Sequence, residues 1–320
     1  MIGAIIGDIV GSRWEFNPTN DYNFEWLSKE NGFTDDTICT VAVADALLHS
    51  RDFGESIHDW CNRYPHPMGG YGGRFAVWVH SMSPKPYNSF GNGSAMRVSP
   101  VAHWFDTVEE VLDAAAATAL PSHSHPEGVK GAQTVALAIF KALQYNHHHY
   151  QEAPLHIDEI LNDCVTFSGY DINMPKASAL NKFDETCQGT VPVALKIISM
   201  ATDFEDAVRL AVSLGADADT LGAIVGSIAE AIWGIPLHHR NVIEGYLPDE
   251  MRLVLDELYS ARPRSFKPLI DTTFFKKDYS EAAWGIIEEK EHKELKVIVD
   301  KEKNEKRRLM AERGKTRFNW

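Results

Sequence analysis

The sequence predicts an all-α fold, and two observations carry that prediction. Apolar residues recur at helical spacing in several segments, which begin behind capping residues or end at Gly or Pro. No segment shows several residues of strict apolar–polar alternation, the pattern of a half-buried strand. With 320 residues, 44% of them hydrophobic, the chain can bury a sizeable core. We therefore expect one compact helical domain over residues 1–270 and a charged helical extension over residues 271–320.

The individual helices are predicted from their stripes and caps. Thr107 and Glu110 form a capping box ahead of an alanine-rich run, and Thr202 with Glu205 has the same spacing. Pro126 suits the first turn of a helix, where its missing N–H is not needed. These signals predict helices over residues 35–49, 107–120, 126–143, 190–200, 204–214 and 220–233.

Two segments depart from this pattern. Residues 52–99 are dense in Gly, Pro, Asn and aromatic residues, so we expect a long functional loop system there. Residues 1–11 are apolar, but Asp8 interrupts them and they contain no Lys or Arg, so they make a poor signal peptide. A carboxylate in an apolar segment needs a partner. We expect Asp8 to cap a helix or to accept hydrogen bonds beside a functional site.

Charge and cysteine content exclude several functional classes. The formal net charge of −14 makes nonspecific nucleic-acid binding by the body of the protein unfavourable. The four cysteines are scattered without a CxxC spacing, which is typical of a reduced cytoplasmic protein. The apolar run over residues 221–229 is far too short to span a membrane. We therefore expect a cytoplasmic location and no membrane partner.

Two carboxylate clusters stand at predicted helix starts. Asp35 and Asp36 lie between two threonines, and two adjacent carboxylates repel each other unless a cation or a proton lies between them. Asp217 and Asp219 are two residues apart, so their side chains diverge on a helix and share a face in an extended segment. We expect this second pair to lie in the loop before the helix that starts at Thr220.

Both clusters have two interpretations. The simpler one is that Thr and Asp act as ordinary N-caps, since carboxylates there complement the helix dipole. The alternative is a cation site. Neither cluster contains Cys or His, so their hard oxygen ligands suit Mg²⁺ or Mn²⁺ and not Zn²⁺. That many carboxylates are typical of a two-metal site.

Three further motifs have a functional interpretation beside a structural one. The glycine-rich segment 69–73 is either a flexible turn or a loop whose backbone N–H groups approach a phosphate. Residues 90–97 either lead into a buried helix or line a ligand. His123 and His125 have no third soft ligand nearby, which argues against zinc. Glu15 is either a surface carboxylate or a catalytic group.

These motifs, in this order, resemble the ADP-ribosylglycohydrolase family. The resemblance spans residues 1–236 and implies an all-α fold with two divalent metals, Mg²⁺ or Mn²⁺, in a central cleft. It rests on Gly7–Ser12 followed by Glu15, on Thr34–Thr37, Gly91–Arg97 and His123–Pro126, and on Asp217–Thr220.

The resemblance also implies roles for individual residues. The implied metal ligands are Thr34, Asp35, Asp36, Asp217, Asp219 and Thr220. Asp36, Glu15 and Asp219 are the candidates for the catalytic carboxylate. The implied ligand-binding residues are Gly70, Tyr71, Gly72 and Gly73 at the diphosphate of ADP-ribose, Phe90 or Tyr87 at the adenine, and Asn92, Gly93, Ser94 and His125 nearby.

The expected function is hydrolysis of the glycosidic bond between ADP-ribose and an acceptor, with ADP-ribose as a product. The acceptor stays open between a protein side chain such as arginine or serine and a nucleobase. Two alternatives remain: a hydrolase of a free metabolite such as O-acetyl-ADP-ribose, and a non-catalytic ADP-ribose-binding or toxin-immunity protein. The tail over residues 301–320 holds eight Lys and Arg against three Glu. It is either a solvated end or a docking arm for a protein partner.

Overall fold

The computed structural model of the protein describes residues 1–149, 157–174 and 178–261. These ranges form fourteen α-helices and contain no β-strand, which confirms the all-α fold. Short 3₁₀ turns follow the first helix and the thirteenth. The helices are α1 (Ile2–Gly11), α2 (Asp35–His49), α3 (Phe53–Arg63), α4 (Gly73–Val79), α5 (Gly93–Met96), α6 (Ser99–Trp104), α7 (Val108–Ala119), α8 (Pro126–His149), α9 (Ile157–Ser168), α10 (Cys187–Met200), α11 (Phe204–Val212), α12 (Ala218–Trp233), α13 (Leu237–Ile243) and α14 (Asp249–Ala261).

Helices α1 and α12 pack against each other at the centre of the fold. Every residue of α1 is buried, and glycines at intervals of four face small residues of α12. A Cβ atom added at Gly7 would lie 1.9 Å from the carbonyl oxygen of Gly222. The two backbones therefore approach as closely as they do only because both contact faces lack side chains. This crossing brings the C-terminal half of α1 against the start of α12.

Several predicted helix starts are confirmed. Helix α2 begins at Asp35 behind Thr34, whose hydroxyl accepts from the backbone N–H of Asp36. Both halves of the capping box at Thr107 and Glu110 form ahead of α7. The box predicted at Thr202 and Glu205 is wrong, because Asp203 caps α11 by accepting from the N–H of Asp206.

The loop predicted over residues 52–99 is also wrong, since this segment contains three helices and the start of a fourth. Asp52 caps α3, with its carboxylate accepting from the N–H of Glu55. Only a narrow stripe of α3 is buried, which includes Ile57, Trp60 and Cys61. Helix α5 has a single turn. Short helices with few apolar residues give too weak a periodic signal to be read from the sequence.

Two predictions fall partly or wholly outside the described chain. The domain predicted over residues 1–270 is described up to residue 261, and the extension predicted over residues 271–320 lies outside the described residues.

All four cysteines are buried thiols without disulfide bonds. Among the described helices, none combines the length and the apolar character that crossing a bilayer requires.

Candidate active site

The two carboxylate clusters meet in one cleft of about 420 Å³. Asp35 enters it from the start of α2, and Asp217, Asp219 and Thr220 enter it from the start of α12. Glu15 lies at the end of the 3₁₀ turn that follows α1. Residues almost 200 positions apart in the sequence therefore share one wall, because α1 and α2 both pack against α12.

Asp8 joins α1 to the start of α2. Its carboxylate accepts from the backbone N–H and the hydroxyl of Thr34, and from the same two groups of Thr37. As the sequence predicts, Asp8 thus acts as a hydrogen-bonded cap. The sequence did not place it beside the clusters. Asp8, Asp36 and Asp219 each offer a carboxylate oxygen, and these oxygens lie within 4.8 Å of one another.

The second cluster converges in a different way from the predicted one. Helix α12 begins at Ala218, so Asp219 is already in its first turn and the expectation that both aspartates precede the helix is wrong. Asp217 occupies the N-cap position with φ −69° and ψ 87°, outside the helical region, and this turns its side chain toward that of Asp219. Asn92 donates to Asp217 over 2.7 Å. The Thr220 hydroxyl donates to Asp36 over 3.3 Å and links α12 to α2.

The electrostatics of the cleft favour a cation. Burial raises the pKa of Asp35, Asp36 and Asp219 well above the usual value, and repulsion from neighbouring carboxylates raises it further. Burial and, after it, the charge of Asp217 raise the pKa of Glu15 to about 7. Within the described residues, Asp36 Oδ1, Asp219 Oδ1 and Glu15 Oε2 are buried without a hydrogen-bond partner.

Bound cations would remove both the repulsion between the carboxylates and the cost of burying oxygens without a partner. A divalent cation offsets the mutual repulsion, and it gives the unpartnered oxygens the ligand that the protein does not supply. Every donor atom here is a carboxylate or hydroxyl oxygen, the donor type that Mg²⁺ and Mn²⁺ prefer. The residues present therefore fit hard divalent cations.

The glycine-rich segment 69–73 also lines the cleft. Gly69 and Gly70 have φ of 75° and 82°, which side chains other than glycine adopt with strain. A Cβ atom at Gly69 would lie 2.3 Å from Glu15 Oε2. The Tyr71 hydroxyl anchors the segment, because it donates toward the carbonyls of Cys61 and Tyr64, 3.0 and 2.7 Å away.

The remaining predicted ligand-binding residues divide into two groups. Tyr87, Asn92 and Gly93 line the cleft. Phe90, Ser94, His125, Thr34 and Asp36 are not among the cleft-lining residues that the structure describes. Asp36 lies directly behind the wall, where it accepts from the lining residue Thr220, and the Thr34 hydroxyl donates to Asp36.

The structure distinguishes the two predicted histidines. His123 lines the cleft, whereas His125 packs edge-on against Phe90 with ring centroids 5.3 Å apart. Burial lowers the pKa of His123 well below its usual value, and the charge of Arg97 lowers it further, so its ring is neutral. The Ser94 hydroxyl is fully buried and donates to the carbonyl of Gly128 over 2.7 Å.

Several cleft residues, Phe75 and Ser89 among them, were missed at the level of sequence. Phe16, Arg74 and Glu185 line the cleft, and Phe16 stacks on Phe183 at a centroid distance of 6.0 Å. Phe16 and Arg74 adjoin Glu15 and the glycine-rich segment, so proximity to those motifs could have found them. Nothing in the sequence around Glu185 signals its place beside the carboxylates.

The family follows from a match along most of the chain. The sequence model described as ADP-ribosylglycohydrolase matches residues 1–267, which include every residue of the cleft. This chain belongs to the ADP-ribosylglycohydrolase family. Within it, the curated relatives include the ADP-ribosylhydrolase ARH3 of Bos taurus, which is 27% identical over 77% of this chain and 88% of the relative. The human protein of the same name is 26% identical with the same coverage.

More distant members match over similar lengths. The putative ADP-ribosyl glycohydrolase L543 of Acanthamoeba polyphaga mimivirus is 24% identical over 73% of this chain and 85% of the relative. Among solved structures, a chain of an ADP-ribosylglycohydrolase-related protein complex superposes with a TM-score of 0.62. That match has 24% identity and covers 81% of this chain and 95% of the other. It supports the fold alone.

Proposed function

We propose that this ADP-ribosylglycohydrolase uses divalent cations to hydrolyse the glycosidic bond between ADP-ribose and an acceptor. One observation carries the proposal. Carboxylates from the starts of α2 and α12 converge at a single cleft. Asp219 Oδ1 and Glu15 Oε2 in the cleft, and Asp36 Oδ1 directly behind its wall, are buried without a hydrogen-bond partner. Cations held by this cluster would activate a water molecule, which a module that only held ADP-ribose would not need.

The cations would be held by the two clusters. Bound there, they supply Lewis-acid polarisation and orient a water molecule for attack. Asp8 and Asn92 position this set through their hydrogen bonds to Thr34 and Asp217. The residues that would hold the cations are Thr34, Asp35, Asp36, Asp217, Asp219 and Thr220.

The protein's own residues supply binding and proton transfer. The backbone N–H groups of residues 69–73 are neutral donors, and the missing Cβ atoms let a diphosphate approach them closely. Cleavage of a glycosidic bond passes through an oxocarbenium-like transition state and needs an acid or base at the leaving group or water. Glu15, a partly buried carboxylate that lines the cleft, is the group we assign to this proton transfer.

The test is release of ADP-ribose against Mg²⁺ concentration. ADP-ribosyl-arginine and -serine peptides, an ADP-ribosylated nucleobase and O-acetyl-ADP-ribose are offered in parallel after chelation of bound metal. We expect at least one substrate to be cleaved only when Mg²⁺ or Mn²⁺ is restored. Asp36→Asn and Asp219→Asn are expected to lower activity about 100-fold or more, since each removes a buried ligand charge.

The control is Asp163→Asn. The carboxylate of Asp163 pairs with Lys141 on a half-exposed surface outside the cleft. It is expected to retain full activity. Circular dichroism of each variant separates lost chemistry from lost fold. If the folded wild-type protein binds ADP-ribose but cleaves no substrate at saturating Mg²⁺ or Mn²⁺, it is a binding module and the proposal is wrong.

A further inference from the structure

A second group of metal-ligand side chains lies away from the cleft. Glu205 belongs to α11, and His238 and His239 belong to α13. Each offers one ligand atom, and the three atoms lie within 4.8 Å of one another. None of the three lines the cleft. We propose that they bind one Zn²⁺-type transition metal, which fastens α13 to α11.

The distances already approach a coordination sphere. Glu205 Oε2 and His239 Nε2 lie 3.2 Å apart. Ligand atoms of a tetrahedral zinc ion with bonds of about 2.0–2.1 Å are about 3.3 Å apart. The His238 ring lies beside the His239 ring, with centroids 4.0 Å apart. A small side-chain adjustment of His238 completes three protein ligands, and water takes the fourth position.

Neighbouring groups hold two of the ligands in place. The other oxygen of Glu205, Oε1, accepts from Arg209 Nε over 2.8 Å, which turns Oε2 toward the histidines. The His239 ring packs against Trp26 with centroids 4.7 Å apart. Metal ligands are typically oriented by such surrounding hydrogen bonds and packing. The arrangement at Glu205 and His239 therefore needs little rearrangement to accept a metal.

An ion pair is the competing explanation for the closeness of Glu205 and His239. Without a metal, a protonated His239 pairs with Glu205, which Arg209 also neutralises. A metal would replace that pair and take both imidazoles as ligands. Two imidazole nitrogens and one carboxylate also select Zn²⁺, Co²⁺ or Ni²⁺ over Mg²⁺. This site and the all-oxygen cleft would then take different classes of cation, so they can be tested separately.

The test is thermal unfolding of the full chain with Zn²⁺ under saturating Mg²⁺. The run His147–His149 is a competing source of zinc ligands, so it is replaced by alanine in every protein compared. We expect Tm to rise by about 5 °C at a Zn²⁺ concentration 100-fold above Kd. His238→Ala should abolish the rise. His80→Ala, which removes another exposed histidine, should leave it unchanged.

Two further measurements identify the ligands. Calorimetric titration should give one Zn²⁺ per chain in the parent and none at this site in His238→Ala or Glu205→Gln. Bound Co²⁺ should show the intense visible absorption of a four-coordinate ion. Because His238 is exposed, its alanine variant should fold even if Glu205→Gln does not. A rise in Tm that survives His238→Ala, or no rise in the folded parent, would overturn the proposal and leave an ion pair.

Discussion

Glu15 differs from the other carboxylates of the cleft in its position on the chain. Asp35, Asp217 and Asp219 stand at the starts of α2 and α12, whereas Glu15 lies at the end of the 3₁₀ turn after α1 and is only partly buried. One of its oxygens lies beside Gly69 of the glycine-rich segment. Glu15 is not among the residues proposed to hold the cations, so its role in proton transfer can be tested apart from theirs.

We expect Glu15→Gln to lower kcat about 100-fold or more, because the amide cannot transfer the proton. KM and the Mg²⁺ dependence should change little. Steady-state kinetics on the best substrate measure this, with Glu30→Gln as the control, since Glu30 is an exposed residue outside the cleft. An unchanged kcat would indicate that Asp36 or Asp219, and not Glu15, acts as the acid or base.

Single residues also show what the sequence could predict. The doubled carboxylates of Asp35 and Asp36 exceed the need of one helix cap, and that excess signalled a functional cluster. Asp8 carried a weaker signal, since an isolated carboxylate in an apolar segment reveals a need for partners but not their identity. Glu185 reaches the cleft only through tertiary packing, so no local pattern could have indicated it.

Helices were predictable where one face is buried behind a clear cap. Helix α7 has both features, since Val111, Ala114, Ala115, Thr118 and Ala119 form one buried face behind its capping box. The predicted bounds of α2 are also correct at both ends, although nearly all of its residues are buried. Helix α1 is buried on every side. Its close packing against α12 depends on Gly3, Gly7 and Gly11, which have no side chains. A sequence pattern of apolar residues says little about how closely two backbones approach.

Asp45 joins α2 to α3 by buried polar contacts. Its carboxylate accepts from the Trp60 indole N–H over 3.1 Å and from Arg51 over 2.9 Å. Burial alone would raise the pKa of Asp45, but the hydrogen bonds from Trp60 and Arg51 hold it below its usual value. The ionised form is therefore favoured by folding, and these contacts hold α2, whose first residue Asp35 lines the cleft, against α3.

We expect Asp45→Asn to lower the free energy of unfolding by about 1–3 kcal/mol at pH 7. A carboxyl whose pKa is lower in the folded state stabilises fully above its unfolded pKa and loses that effect as pH falls through the folded pKa. The difference between wild type and variant should hold from pH 5 to 8 and shrink below about pH 4. Denaturant unfolding at several pH values measures it.

Asp59→Asn is the matched control, because Asp59 also pairs with Arg51 but is half-exposed. Exposed ion pairs contribute about 0–1 kcal/mol, so this variant should remain close to wild type. Equal losses in the two variants would mean that the charge of Arg51, and not the buried contact with Trp60, stabilises the junction of α2 and α3.

At the scale of the whole molecule, the cleft depends on distant parts of the chain meeting. Its residues run from Glu15 to Thr220, and the family match extends to residue 267. The order of the motifs could be read from the sequence, but their convergence required the crossing of α1 and α12. The cleft therefore needs the folded body as a unit, and within the described part of the chain every lining residue precedes residue 221.

That separation gives a prediction for the tail. Removal of the chain after about residue 290 should leave hydrolysis of a small ADP-ribosylated peptide unchanged, because every proposed ligand and catalytic residue precedes residue 221. The last twenty residues carry a net charge of +5 within a chain of −14. Their loss should instead weaken association with an acidic macromolecular partner, and that association should fall steeply with salt.

Peptide hydrolysis and salt-dependent binding are measured on both proteins. A truncated protein that folds and binds Mg²⁺, yet cannot cleave the peptide, would show that the tail completes the active site.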